Sequence, residues 1–420
     1  MSLKTKPIQH QIHRVILPNG VILLVVENQA ADLVAGRFFL SNAGSIIEKP
    51  SQAGISNLVS SVITKGTKNL SALEIAEQVE SIGASLGADS SSDYFAFSLK
   101  TVAADFPEML QLLGEIMQYP SFPDSEVELE RKIALQTIRS QKEQPFSVAF
   151  SQLRQSIYGQ HPYGVSVLGT EESVASLTPE DLKQYHQIYF RPDNLIISLS
   201  GRITKEQAVD LVTQVFGDWR IPSTTLAVDE LPSIDTKPSK EVIVQDTQQS
   251  IVMLGYKGTS VTDEAYPVLK LLSTYLGNGL SSRLFVELRE KRGLAYDVSA
   301  FYPTRLEPAP FVTYMGTAPE NTEIAIEGLS KEVERLREIK LSDDELQGAK
   351  NKLLGQYALG KQTNGEIAQI YGWYESLGLG VDFDTQFPET ISQVTPQMAQ
   401  EVVNAYLKNP FISIVQPENL

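Results

Sequence analysis

Gly54-Ile55-Ser56-Asn57-Leu58-Val59-Ser60-Ser61-Val62-Ile63-Thr64-Lys65-Gly66-Thr67 is bounded by glycines and carries apolar residues at helical spacing. The period predicts an amphipathic helix over Ala53 to Thr64, on which positions 57 and 61 share one face. Upstream, Gln11 to Glu27 reads as two short strands joined at Pro18-Asn19-Gly20, because Asn-Gly favours hairpin turns. A third strand follows at Leu33 to Leu40. Downstream, helical spacing recurs in Ala72 to Ile82, Phe106 to Met117 and Ser125 to Lys142, and alternation predicts strands at Ala84 to Ala88 and Tyr94 to Val102.

The Gly54 to Thr67 stretch closely resembles the zinc helix of the pitrilysin and mitochondrial processing-peptidase family. There a Gly precedes His-x-x-Glu-His and a Lys-Gly-Thr follows it. The resemblance implies two zinc-binding His at i and i+4 and a Glu that activates the metal-bound water. Those positions are Asn57, Ser60 and Ser61 here. The family's third ligand is a Glu on a later helix, within Glu-Arg-x-x-x-Leu-x-Glu-Ile. The matching segment is Glu130-Arg131-Lys132-Ile133-Ala134-Leu135-Gln136-Thr137-Ile138, and Thr137 stands at the ligand position. Zinc sites use imidazole, thiolate or carboxylate, so no cofactor is expected on this chain. Loss of the base alone should cost roughly 10²–10⁴ in rate.

The other constellations are weaker. The His residues number four, His10, His13, His161 and His186. The first two read as part of an amino-terminal tail, His161 as part of a loop shared with the family, and His186 as a packing residue. Neither Ser60 nor Ser61 has a His in a context that suggests a triad.

Leu276-Gly277-Asn278-Gly279-Leu280-Ser281-Ser282-Arg283-Leu284-Phe285-Val286-Glu287-Leu288-Arg289-Glu290-Lys291-Arg292-Gly293-Leu294-Ala295-Tyr296 is similar to the family's carboxy-terminal signature. The resemblance implies that Arg289 and Tyr296 hydrogen-bond a substrate carbonyl, and that Gly277, Asn278 and Gly279 form a glycine-rich substrate loop. Read without it, Arg289 belongs to a charged helical run, Tyr296 to a core, and the Gly-Asn-Gly to a helix cap. The resemblance also implies an edge strand at Tyr94 to Leu99 that pairs with bound peptide.

A chain of 420 residues with 42% apolar residues exceeds what one core sustains, roughly 250–300 residues. Pro222, Pro232 and Pro238 fall among polar residues in Ile221 to Lys240, the composition of a linker. The division is therefore 1–220, a linker at 221–240, and 241–420. The halves repeat: Thr178-Pro179 leads to Tyr189 and the strand Leu195 to Leu199, and Thr395-Pro396 leads at the same interval to Tyr406 and the strand Phe411 to Val415. Each copy has a Thr N-cap with Pro at the first helical position. The fold class expected is α+β, two homologous α/β-roll halves, each a mainly antiparallel sheet backed by helices.

A formal charge of −16 argues against nucleic acid, whose phosphates need clustered cations. With no cysteine there is no disulfide framework or thiolate site. No apolar run approaches the ~18 residues of a membrane span, and Met1 to Pro7 lacks a secretory h-region. The expectation is a cytoplasmic protein, or a periplasmic one if a signal has been removed. The function expected is a non-catalytic subunit that binds peptide in a heterodimer with a zinc-bearing homologous chain. The alternatives are a peptidase-fold scaffold or peptide-binding protein without a proteolytic role and, for the isolated chain, a homodimer.

Overall fold

The structure, a computed structural model, describes residues 11–226 and 230–418; His10 lies outside them. In the first half a six-stranded sheet forms from β1 (Ile12–Ile16), β2 (Ile22–Glu27), β3 (Leu33–Leu40), β4 (Ser85–Ser90), β5 (Phe95–Val102) and β6 (Leu195–Gly201). Their spatial order is β1-β2-β6-β3-β5-β4. The second half contributes β7 (Lys240–Val244), β8 (Ser250–Lys257), β9 (Ala295–Phe301), β10 (Pro310–Thr317) and β11 (Phe411–Gln416), ordered β7-β11-β8-β10-β9. Apart from the additional β1, the two orders are the same. The last strand of each half inserts in the same way, β6 between β2 and β3 and β11 between β7 and β8, parallel to the former and antiparallel to the latter. The repeat around Thr178 and Thr395 is thus one visible part of a duplicated α+β architecture. Both threonines cap their helices as expected, accepting from Asp181 N and Met398 N.

The first turn is as the sequence predicts: β1 pairs antiparallel with β2, and Gly20, at φ +89°, supplies the left-handed residue of the connection. His13 does not lie in a tail. It sits in β1 with its ring 3.8 Å from Glu27, because the hairpin begins at Ile12.

The chain groups into two compact units. One takes residues up to Gln136, Val167–Glu230 and Tyr357–Phe383; the other takes Thr137–Ser166, Leu231–Gln356 and Asp384 onward. In the first unit, alternation along β2, β3 and β5 buries Leu23, Val25, Phe38, Leu40, Phe95 and Phe97 against helices on one face. The opposite residues Leu24, Val26, Phe39 and Ala96 pack under the single helix Asn364–Ser376 through Ile367, Tyr371 and Tyr374. In the second unit the helix Pro145–Tyr158 lies against β8, so closely that a side chain at Gly255 would meet Leu153 and Ile157 within 3.0 Å. Each sheet is therefore finished by a helix encoded in the other half of the sequence. Residues 221–226 and 230–239 carry no regular structure.

Candidate functional site

The helix Ile55–Val62 starts from Gly54, whose φ of +91° and proximity to Leu168, with a Cβ position 2.5 Å from its carbonyl oxygen, leave no room for a side chain. The Glu48 carboxylate caps it from outside the helix. It accepts from Gly54 N at 2.7 Å, Ser56 N at 2.9 Å and Ser56 Oγ at 2.6 Å. Burial nevertheless pushes the Glu48 carboxyl up to about 7, the desolvation of the charged form outweighing three donors. The Tyr185 hydroxyl, which donates to the Ala43 carbonyl, is raised by burial and then by Glu48. Sequence reading missed Glu48; its only signal is an acidic residue shortly before the glycine.

The two serine hydroxyls of the motif bond back onto their own helix. Ser60 Oγ donates to Asn57 O at 2.8 Å and Ser61 Oγ to the same carbonyl at 3.2 Å. Ser60 is buried and Asn57 and Ser61 are partly so. Thr137 is exposed on the helix Asp124–Lys142. That helix is tied to the end of the motif by Glu130, which pairs with Lys65 at 3.3 Å. An amide, three hydroxyls and no imidazole, thiolate or carboxylate do not make a zinc site. Among the described residues no group of three or more His, Cys, Asp or Glu stands where it could hold a metal ion.

The remaining histidines are structural in their contacts. His186 Nε2 donates to Met117 O at 2.8 Å between the rings of Phe122 and Phe190, and burial lowers its pKa to about 4. His161, 1% exposed, accepts from Tyr163 N through Nδ1.

In the second unit Gly277 ends the helix Tyr266–Gly277 against β9, where a Cβ would stand 1.8 Å from Ala300 N. Its carbonyl accepts from Ser299 Oγ at 2.7 Å. Asn278 Nδ2 donates to Gln356 at 2.8 Å, and Gly279 takes φ +75°. The loop is thus held where it leaves the helix, while Leu280 beyond it is 74% exposed.

Arg289 and Tyr296 both sit in irregular backbone. Around Arg289 the helix widens: Lys291 N bonds to Val286 O, five residues back. The Arg289 guanidinium lies 5.1 Å from the Phe285 ring centre and is exposed. In β9, Ala295 pairs with Thr317 and Asp297 with Gly316, so Tyr296 is the extra residue of a bulge, which re-aims a side chain. It is 58% exposed, not part of a core. The charged-run reading of Arg289 fails in one respect: its neighbours Lys291 and Arg283 hold Glu287, while Arg289 rests on an aromatic ring.

The expected edge strand is displaced by one. β5 is interior, paired with β3 on one side and β4 on the other. The turn at Ser91 to Asp93 folds β4 back onto it, and Phe95, Ala96 and Phe97 are buried on both faces. The open edge belongs to β4, whose Ser90 Oγ lies 3.4 Å from Ser56 Oγ on the motif helix.

A duplicated sheet-and-helix roll whose first half keeps the register of a zinc motif without its ligands defines a peptidase-like class. The chain belongs to the insulinase family, peptidase family M16: that model matches residues 25–171, and the model described as the peptidase M16 inactive domain matches 176–353. It is 28% identical over 85% of its length to 87% of the uncharacterized zinc protease YmxG of Bacillus subtilis. It is 26% identical over 97% of its length to 90% of an uncharacterized zinc protease of Streptomyces coelicolor. Among solved structures, a protease from Helicobacter pylori superposes with TM-score 0.90 at 22% identity, over 97% of this chain and all of that one (100%). A peptidase M16 inactive domain from Pseudomonas fluorescens does so with TM-score 0.89 at 24% identity, over 97% and 98%.

Proposed function

We propose that this chain is a non-catalytic M16 subunit that binds peptide and presents it to a zinc-bearing homologous chain. The observation that carries the reading is a contrast: Asn57, Ser60, Ser61 and Thr137 offer no zinc donor or base, while Arg289 and Tyr296 remain exposed on purpose-shaped backbone. A guanidinium and a phenol suit a peptide carbonyl. The open edge of β4 supports the same reading, since an extended peptide can add there as a further strand. Zinc and hydrolysis are assigned to the partner.

The test is peptidase turnover and bound zinc for this chain alone and mixed with a His-x-x-Glu-His homologue. Turnover in the mixture should exceed that of the homologue alone and fall with Arg289→Ala or Tyr296→Phe. No gain on mixing points to the scaffold alternative, and zinc-dependent turnover by this chain alone overturns the proposal.

A further inference from the structure

Beside the free β4 edge, on the sheet face opposite the motif helix, lies an open groove of about 570 Å³ lined by Ala35, Arg37, Ser98, Lys100, Gln369 and Trp373, among others. Sheet register explains why it is open. Directly paired residues point to one face, so Arg37, Ser98 and Gly87 form one row across β3, β5 and β4, and Ala35, Lys100 and Ser85 form the next. Toward β4 the first row shrinks from Arg to Ser to Gly, and the second ends on Ser85 beyond Lys100. The helix Asn364–Ser376 forms the other wall through Gln369, Ile370 and Trp373. A Cβ at Gly87 would meet nothing closer than Ser98 Oγ at 3.6 Å, so space extends to the sheet edge.

The second unit carries aromatics on the sheet face that its covering helix Pro145–Tyr158 packs on. On β10 and β9, Tyr314 stands opposite Ser299, and the ring of Phe146 packs on Tyr314 at 4.9 Å, with Phe301 at 6.2 Å. The rows beside the β4 edge of the first sheet carry no ring.

The charges at the groove are unequally committed. Asp89 is spent on Arg37 at 3.2 Å. The Glu366 carboxylate faces its helix start, accepting from Thr363 N, Thr363 Oγ and Gln362 N. Lys100 is exposed and makes no ion pair among the described residues. It stands beside Ser85, which is too short to keep it from whatever lies past the edge.

We propose that this groove is a side-chain subsite for an extended peptide added to β4, and that it selects an aromatic and an acidic side chain two residues apart. The proposal rests on the peptide-binding reading above. Residues two apart on an added strand share the groove's face. The one opposite Gly87 lays its ring over Gly87 and Ser98 toward Trp373; the one opposite Ser85 places its carboxylate on Lys100. The subsite adds positional selectivity to backbone pairing that is itself blind to sequence.

The chain has two tryptophans, Trp219 and Trp373, so the full-length Trp219→Phe protein reports on the groove through Trp373 alone. Three synthetic peptides are titrated against it: one carrying Glu-x-Phe and Phe-x-Glu spacings in a Ser-Thr background, one with Lys for Glu, and one with Ala for Phe. The first should shift Trp373 emission and bind at least tenfold tighter than the others. Lys100→Glu should reverse the preference between the Glu and Lys peptides, and Gly87→Val should remove the advantage of Phe. Fluorescence anisotropy of labelled peptides repeats the comparison in the unsubstituted protein, free of any effect of the Trp219 change. Peptides that bind alike to all these proteins overturn the subsite and leave the peptide-binding reading standing. No binding of any peptide, with or without the zinc-bearing homologue, overturns both.

Discussion

Ser61 Oγ donates to the carbonyl oxygen of Asn57 at 3.2 Å, one helical turn back. Two residues at this spacing share a helix face, so the geometry for a pair of ligands persists although the donors do not. Asn57→His with Ser61→His should therefore create a two-imidazole site. Zinc affinity measured by calorimetry is expected to rise at least tenfold over the unsubstituted chain, without reaching that of a four-coordinate site. Unchanged affinity would show that the helix face is no longer open to an ion.

Glu48 gives the motif helix a pH dependence of its own. Its carboxyl titrates near 7 in the folded protein against an ordinary 4.5. The folded state thus holds the proton more tightly, and the stabilisation is complete below about 4.5 and lost as pH rises through about 7. The span is on the order of 3 kcal/mol. In urea melts from pH 5 to 8, Glu48→Gln should flatten this decline, and a slope equal to that of the parent chain would contradict it.

His186 acts with the opposite sign. Burial depresses its pKa to about 4 from 6.5, so its contribution is complete above about 6.5 and lost as pH falls through about 4. His186→Gln, whose amide can still donate to Met117 O, should reduce acid sensitivity over that window by about 3 kcal/mol at most. Denaturation midpoints at pH 4 and 7 check this, and an unchanged difference between them would count against it.

Gly277 and Arg289 should separate stability from function. A Cβ at Gly277 would stand 1.8 Å from Ala300 N, forcing the helix off β9, and overpacking of this kind costs about 1–3 kcal/mol. Gly277→Ala is expected to lower the thermal midpoint by several degrees. Arg289→Ala, at an exposed site, should leave the midpoint within a degree or so while lowering turnover of the reconstituted pair. Equal thermal losses would make Arg289 a structural residue.

Much of this was legible locally. Pro18-Asn19-Gly20 specifies its turn, Thr178-Pro179 and Thr395-Pro396 specify helix starts, and alternation in Tyr94 to Val102 specifies a strand. What local pattern cannot carry is which neighbour a strand finds. The residues of β5 read equally well as an edge or an interior strand, and the deciding fact, that the Ser91 to Asp93 turn brings β4 alongside, is a tertiary one. The same holds for Glu48, whose capping role depends on a loop fold, and for Tyr296, whose exposure comes from one extra residue between Ala295 and Asp297. The covering helices Pro145–Tyr158 and Asn364–Ser376 each look like ordinary members of their own half.

That exchange has a consequence for synthesis on the ribosome. The first sheet lacks its central β6 until residue 201 has emerged, and Leu24, Val26, Phe39 and Ala96 stay uncovered until the helix Asn364–Ser376 is made. A growing chain must therefore carry an apolar sheet face through the translation of nearly its whole second half, so nascent polypeptides arrested before Asn364 should be the ones that chaperones hold longest.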